Sequence, residues 1–294
     1  MNVGWPLQAE SAHAVRGAAA RCGDQGFVPA LLTDPGAAFL LSAVCAPYAV
    51  GMTAAGPLIQ RWDGEEWSGE RLPVLGPGVR GAALTGVHST GASAVAVGGA
   101  FDVLAGEELP LLLRRTHAGW ADDRPPDLGF PYVLTDVVDG WAVGHGFPGT
   151  VLLHRLGGSW TPVVVPGRPA RLLAVAVHGD ELWVAGARNR DGLLLRCEGG
   201  GWKEFRPRTG AVTCLAASSD ELWAAAGRSV LRWTGRRWIA LQAPFPANAL
   251  TLVDGAPRVA GSGFEARYDG RRWNAREVPG TWLGADEDWL VGSG

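Results

Sequence analysis

The sequence has few of the features that are typical of nucleic-acid-binding proteins. Methionine (2 residues), cysteine (4) and lysine are scarce, and the formal net charge is only -3, with an isoelectric point near 6.1. A weakly acidic chain has no general attraction to phosphate backbones or anionic membranes. We therefore expect no nucleic-acid partner.

Long apolar runs are also missing. No stretch reaches the roughly 18 apolar residues that a membrane-spanning helix needs. Residues 1–15, MNVGWPLQAESAHAV, have neither the basic start nor the continuous apolar centre of a signal peptide. These absences predict a soluble, cytoplasmic protein with no membrane partner, and we expect a monomer.

Motifs for metal, cofactor and redox chemistry are absent as well. Cys22, Cys45, Cys197 and Cys214 stand in strand-like runs without CxxC spacing, which predicts buried thiols. There is no GxSxG elbow, HExxH, P-loop, EF-hand loop or dinucleotide fingerprint. No two histidines share a strand face beside a carboxylate, so we expect neither a metal nor a cofactor.

What the chain has in abundance is glycine (43) and tryptophan (14), distributed in two alternating half-units. The first is two apolar runs around a polar turn, ending in glycine, as in LLAVAVHGDELWVAG over Leu172–Gly186. The second is an apolar run, an arginine, a glycine turn and an aromatic residue, as in LLLRCEGGGW over Leu193–Trp202. Each half-unit is typical of a β-hairpin.

Both half-units recur seven times. The terminal glycines of the first are Gly51, Gly98, Gly144, Gly186, Gly227, Gly261 and Gly292. The aromatic residues of the second are Trp67, Trp120, Trp160, Trp202, Trp238 and Trp273, with a seventh copy, AAARCGDQGF over Ala18–Phe27, at the N-terminus. Repeats of four short strands predict an all-β, seven-bladed β-propeller.

The order of the half-units predicts how the ring closes, because the chain begins with the second type and ends with the first. We expect one domain over residues 1–294, in which 1–17 form an N-terminal segment and 38–278 form six blades. The last blade is then built from 281–292 as inner strands and 18–32 as outer strands, which removes the free sheet edges.

The stretches RWDGEEW (Arg61–Trp67) and RYDGRRW (Arg267–Trp273) resemble those of kelch-like and other bacterial β-propeller repeats. The resemblance covers almost the whole chain, although only Gly98 and Gly99 form the double glycine usual in kelch repeats. It implies a fold and carries no function, because propellers host lectins, scaffolds and enzymes alike.

Candidate site residues come from the loops that differ between blades, on the face formed by the second-to-third strand connections and the blade-to-blade connections. Blade two offers the longest such loop, Gly99–Leu109, and an acidic sector. Blades four and five offer a basic sector, and blade three offers a histidine between them. The candidate ligand-binding residues are Phe101, Asp102, Glu107, Phe147, Arg188, Arg190, Arg206, Arg208 and Arg228.

Two functions follow from these loops. One is a binding protein that holds a small molecule, glycan or peptide around the central channel, with guanidinium groups suited to a carboxylate or phosphate. The other is a stand-alone lyase or cyclase of a bacterial biosynthetic pathway, with a metal-independent acid–base mechanism and His145 as catalytic base. A hub for protein partners is a weaker third possibility.

Overall fold

The computed structural model describes the backbone of residues 17–23 and 26–29, and both backbone and side chains of 39–90 and 93–293. Every regular element in these ranges is a β-strand, as the short apolar runs predict. The same ranges contain no helix, and so none that could cross a bilayer. The predicted N-terminal segment up to residue 16 and residues 30–32 of the predicted closing blade lie outside the described residues.

Two short strands come first in chain order, β1 (Gly17–Gly23) and β2 (Gly26–Pro29). Three four-stranded antiparallel sheets follow, which we call blades one to three. Blade one consists of β3 (Phe39–Cys45), β4 (Tyr48–Thr53), β5 (Gly56–Trp62) and β6 (Trp67–Gly69). Blade two consists of β7 (Val79–Thr90), β8 (Ser93–Asp102), β9 (Glu107–Thr116) and β10 (Gly119–Asp122). Blade three consists of β11 (Tyr132–Val138), β12 (Trp141–Gly146), β13 (Thr150–Leu156) and β14 (Ser159–Pro162).

Blades four and five have the same four-stranded plan, and a larger sheet completes the ring. Blade four consists of β15 (Arg171–His178), β16 (Glu181–Arg188), β17 (Asp191–Glu198) and β18 (Gly201–Phe205). Blade five consists of β19 (Cys214–Ala217), β20 (Leu222–Ala226), β21 (Ser229–Trp233) and β22 (Trp238–Gln242). The last strands are β23 (Ala249–Val253), β24 (Ala256–Ala260), β25 (Ser262–Tyr268), β26 (Trp273–Ala285) and β27 (Trp289–Ser293).

The sixth sheet corrects the predicted blade count. Its order is β2-β1-β27-β26-β25-β24-β23, one open sheet of seven strands, so the described chain has six blades and the prediction of seven is wrong. The strands assigned to two blades are joined because β26 runs unbroken from Trp273 to Ala285, pairing with β25 and then with β27. Only residues 279–280 separate the two predicted blades there, whereas residues 123–131 separate blades two and three. So short a connection keeps the chain extended.

The ring is closed between the sixth sheet and blade one. β26 and β27 contact β3, and Trp289 packs against Trp67 with ring centroids 4.9 Å apart. The first N-terminal strand pairs antiparallel with the last strand of the chain, from Gly17 opposite Ser293 to Arg21 opposite Trp289. Both ends of the described chain therefore lie in the sixth sheet.

The repeated glycine allows a close approach between the first two strands of a blade. A Cβ on Gly186 would lie 1.9 Å from the carbonyl oxygen of Arg171, and one on Gly98 would lie 1.9 Å from that of Ala83. Just beyond each contact the first strand carries a bulge, between Leu172 and Ala174 in blade four. The sequence signal thus marks a steric requirement at the centre of the ring.

Aromatic side chains join neighbouring blades, as the fourth-strand tryptophans predict. Tyr48 of blade one meets Trp120 of blade two edge-on at 5.3 Å. Trp160 of blade three donates its indole N–H to Asp123, which follows blade two, over 2.8 Å. These contacts confirm the tryptophans as packing units between blades.

The recurrent third-strand arginine has a structural partner in blades four and five. Arg232 donates to the carboxylate of Glu221, which also accepts the indole N–H of Trp223 over 3.0 Å. Arg196 binds Glu181 in the same way. Glu181 and Glu221 therefore each link two strands of their own blade.

Candidate functional site

The predicted basic sector is built around the hairpin that joins β16 to β17. Arg188 and Asp191 are paired at its base, and Asn189 adopts a positive φ of 60° that permits the tight turn. Arg188 points inward, with its side chain 10% exposed. The turn thus presents one buried guanidinium and one exposed arginine, Arg190.

The guanidinium of Arg188 is held in place by two acceptors. Nη1 donates to Oε2 of Glu204 over 2.5 Å and Nε donates to the carbonyl of Arg168 over 3.1 Å. Nη2 is buried and has no hydrogen-bond partner among the described residues. A Cβ on Gly167 would lie 3.2 Å from it, so only glycine fits beside this nitrogen without displacement.

A cavity of about 370 Å³ opens beside this arginine. It is lined by Arg168, Arg188, Asn189, Asp191, Gly192, Leu193 and Arg206. Arg206 is 69% exposed and donates to Oε1 of Glu204, so one carboxylate holds two of the arginines. We call this feature the Arg188 cavity.

His145 lies on β12, near the same face but in a different environment from the one expected of a catalytic base. Arg171 donates to Nε2 of His145 over 3.4 Å. The pKa of His145 is lowered to about 4, first by burial and then by the positive charge of Arg171, while a hydrogen bond with the backbone of Leu172 partly opposes both effects. The imidazole of His145 is therefore neutral at neutral pH and lies beside the cation of Arg171. So weak a base is poorly suited to proton abstraction.

The other predicted arginines are not brought together at the cavity. Arg228 is committed to two backbone carbonyls of the following loop, donating to Ala243 over 3.4 Å and to Pro244 over 2.9 Å. Arg190 and Arg208 are exposed, and neither lines the cavity. Of the five predicted arginines, only Arg188 and Arg206 line the Arg188 cavity.

The predicted long loop of blade two is mostly strand, so that expectation is wrong. β8 and β9 pair out to Asp102 opposite Glu107, leaving a turn over residues 103–106. Oδ1 of Asp102 accepts the backbone N–H of Leu104 over 2.8 Å, and Gly106 takes a φ of 73°. Asp102 therefore has a turn-capping role, while Phe101 is 44% exposed.

Two further candidates lie apart from the Arg188 cavity. Phe147, at the tip of the β12–β13 hairpin, is 90% exposed. Glu107 lines a separate groove between blades two and three. Asp123, which the sequence places in the same acidic sector, has a side chain only 8% exposed and binds Arg114 over 2.9 Å, so it is a structural residue.

Sequence reasoning missed Arg168, Arg171 and Glu204. Arg168 and Arg171 flank a proline in the connection RPAR between blades three and four, and Glu204 is in a strand that reads as outer surface. Glu204 lies on β18 of the same blade as Arg188, and Arg168 lies in the connection that precedes this blade, so their contacts with Arg188 depend on the tertiary structure. The one available signal was two arginines concentrated in a blade-to-blade connection.

No family model matches the chain, and no curated protein matches it in sequence. Solved structures match its fold. The extracellular domain of the putative one component system BT4673 from B. thetaiotaomicron matches with a TM-score of 0.58 at 10% identity, over 90% of this chain and 39% of that one. A nidogen/laminin complex matches with a TM-score of 0.53 at 10% identity, over 79% of this chain and 93% of that chain. The computationally designed Ika8 protein matches with a TM-score of 0.53 at 15% identity, over 89% and 95% of the two chains.

Identities this low show a shared fold and nothing finer. Together with the ring of six sheets, the matches establish the class of this protein as a β-propeller. The kelch-like resemblance stays a prediction. The fold is compatible with a ligand-binding scaffold, so function has to be argued from the site.

Proposed function

We propose that this protein is a ligand-binding propeller that holds the carboxylate or phosphate of a small molecule in the Arg188 cavity. The observation that carries the proposal is the state of the Arg188 guanidinium. It lines the cavity, is nine-tenths buried, and keeps Nη2 without a partner in the described ranges. A largely buried cation that lines a cavity is stabilised by an anionic acceptor bound there.

Charge and size both support an anionic ligand. Three guanidinium groups, those of Arg168, Arg188 and Arg206, outnumber the nearby carboxylates of Asp191 and Glu204. Arginine suits carboxylate and phosphate because its planar fork matches two acceptor oxygens. A cavity of about 370 Å³ is within the range of small-molecule sites.

The surroundings favour binding over catalysis. His145, the candidate base, has its pKa lowered to about 4, and its Nε2 is engaged by Arg171. General bases work best when their pKa lies near the operating pH. We therefore assign the loop face of blades three and four to recognition of an anion.

A side-chain NMR titration tests this proposal. Inorganic phosphate and acetate are added at constant ionic strength while the arginine Nε–H signals are followed. We expect saturable shifts, and an apparent Kd at least tenfold weaker in Arg188→Lys, since lysine keeps the charge but loses the fork; tenfold corresponds to about 1.4 kcal/mol.

The matched control is Arg190→Lys, which alters a neighbouring exposed arginine that does not line the cavity. We expect its Kd to stay within about twofold of the parent. Shifts that never saturate, or that are equally weak in both variants, would exclude the cavity as an anion site. Circular dichroism of Arg188→Lys without anion checks that the variant is folded.

A further inference from the structure

A second concave surface lies between blades two and three, and it has the opposite chemistry. It is a groove of about 600 Å³ where the connection 73–79, strand β9 and the connection 125–132 meet. It shares no lining residue with the Arg188 cavity. We call it the proline groove, because Pro73, Pro110, Pro125, Pro126 and Pro131 all line it.

The walls of the proline groove are apolar. Leu109 and Phe130 are half-buried in them, and Val74 at the margin is 99% exposed. Small-molecule sites are typically concave and lined mainly by apolar side chains. The apolar part of a ligand would therefore be shielded from water in the groove.

The polar groups of the groove are almost entirely acceptors. Four carboxylates line it, those of Glu107, Glu108, Asp122 and Asp127, and no lysine, arginine or histidine of the described part of the chain does. The prolines contribute carbonyls without N–H donors. Tyr132 donates its hydroxyl to the carbonyl of Pro126 over 2.5 Å, so that donor is already used.

We propose that the proline groove binds a small organic cation, a protonated amine carried on an aromatic or aliphatic body. The apolar walls accept the body, and the acceptors at the margin bind the ammonium group through charge complementarity. The volume is that of a small-molecule site. An anion or a neutral molecule of the same shape lacks the positive charge that pairs with these carboxylates.

The test uses three probes of one shape: 2-phenylethylammonium, the neutral 2-phenylethanol and the anionic phenylacetate. Backbone amide shifts are recorded by NMR at pH 7 and low salt. We expect the amine to bind saturably, with shifts centred on residues 127–130 and Tyr132, the alcohol to bind at least tenfold more weakly, and phenylacetate not to bind there. Raising the salt to 0.3 M should weaken the amine severalfold.

Variants separate this site from a general surface effect. Glu107→Gln combined with Asp127→Asn should weaken amine binding at least fivefold; Asn can keep the bond from the Gly129 N–H that Asp127 accepts through Oδ1. Asp180→Asn, an exposed turn carboxylate in blade four, is the matched control and should leave the Kd unchanged.

Three results would overturn the proposal. One is equal binding of the alcohol and the amine, and another is an amine Kd that does not respond to the double variant. The third is a concentration-dependent oligomer in sedimentation that protects the same amides, because a second copy of this chain would then be the occupant.

Discussion

The indole of Trp183 in blade four packs edge-on against that of Trp238 in blade five, with ring centroids 5.3 Å apart and planes at 88°. Trp183 is fully buried and also donates its N–H to Glu181 over 3.0 Å. The guanidinium of Arg196 lies 5.9 Å from the Trp183 ring. One side chain therefore links the hairpin of its own blade to the outer strand of the next.

Because Trp183 joins two blades, removal of its side chain should greatly lower the stability of the fold. Trp183→Ala should lower the free energy of unfolding by about 3–5 kcal/mol, because a buried indole and its contacts with a second blade are removed. Urea unfolding followed by circular dichroism measures the change. Phe147→Ala, at the exposed tip of blade three, is the control and should stay within about 0.5 kcal/mol. Equal effects of the two substitutions would contradict the packing role.

The repeated glycine gives a second prediction. In Gly186→Ala the new Cβ would meet the Arg171 carbonyl oxygen at 1.9 Å, so the first strand of blade four has to move. We expect a loss of about 3 kcal/mol or more, at the upper end of the usual overpacking range. Gly69→Ala is the matched control, because it makes the same substitution where the new Cβ would meet nothing within 4 Å. Its effect on the free energy of unfolding should be close to zero. A thermal melt of Gly186→Ala that coincides with the parent would refute the steric account.

The third prediction concerns pH and Asp136 on β11. Burial raises the pKa of Asp136 to about 6, although its carboxylate accepts the backbone N–H groups of Val137 and Val175, each over 2.9 Å. Between about pH 4 and 6 the folded chain therefore holds a proton that the unfolded chain has lost, so this group's contribution to stability falls as pH rises. His145 acts in the opposite sense, because its pKa is lowered and its contribution is lost as pH falls from about 6.5 to 4.

Two variants separate these contributions. Asp136→Asn should make the slope of unfolding free energy against pH more positive in this window, approaching about 1.4 kcal/mol per pH unit for one proton. His145→Gln should make it more negative. Urea titrations at pH 4.5, 5.0, 5.5 and 6.0 measure both slopes. Parallel curves for Asp136→Asn and the parent would show that this carboxyl titrates alike in the folded and unfolded chain.

Much of the candidate site could not be predicted from the sequence. Arg188 was identified as a loop arginine, but its burial, its bond to Glu204 on β18 and its bond to the Arg168 carbonyl depend on tertiary contacts within blade four and with the connection that precedes it. Arg228 has the same residue type in an equivalent loop, and there the side chain serves the backbone carbonyls of Ala243 and Pro244. A repeat shows where loops lie, while the partners of a long flexible side chain are set by tertiary contacts.

The sequence alone determined the all-β architecture and its four-stranded repeat, because apolar alternation and glycine turns act locally and recur at a fixed spacing. It also marked Gly186 and Trp238 as repeat positions, whose steric and packing roles the structure then displayed. The number of blades was decided only in three dimensions. Residues 279–280 were predicted to separate two blades, yet the strand continues through them, and β26 joins the two predicted blades into one sheet. The pairing partners of β26, which no local pattern encodes, therefore fixed the closure of the ring.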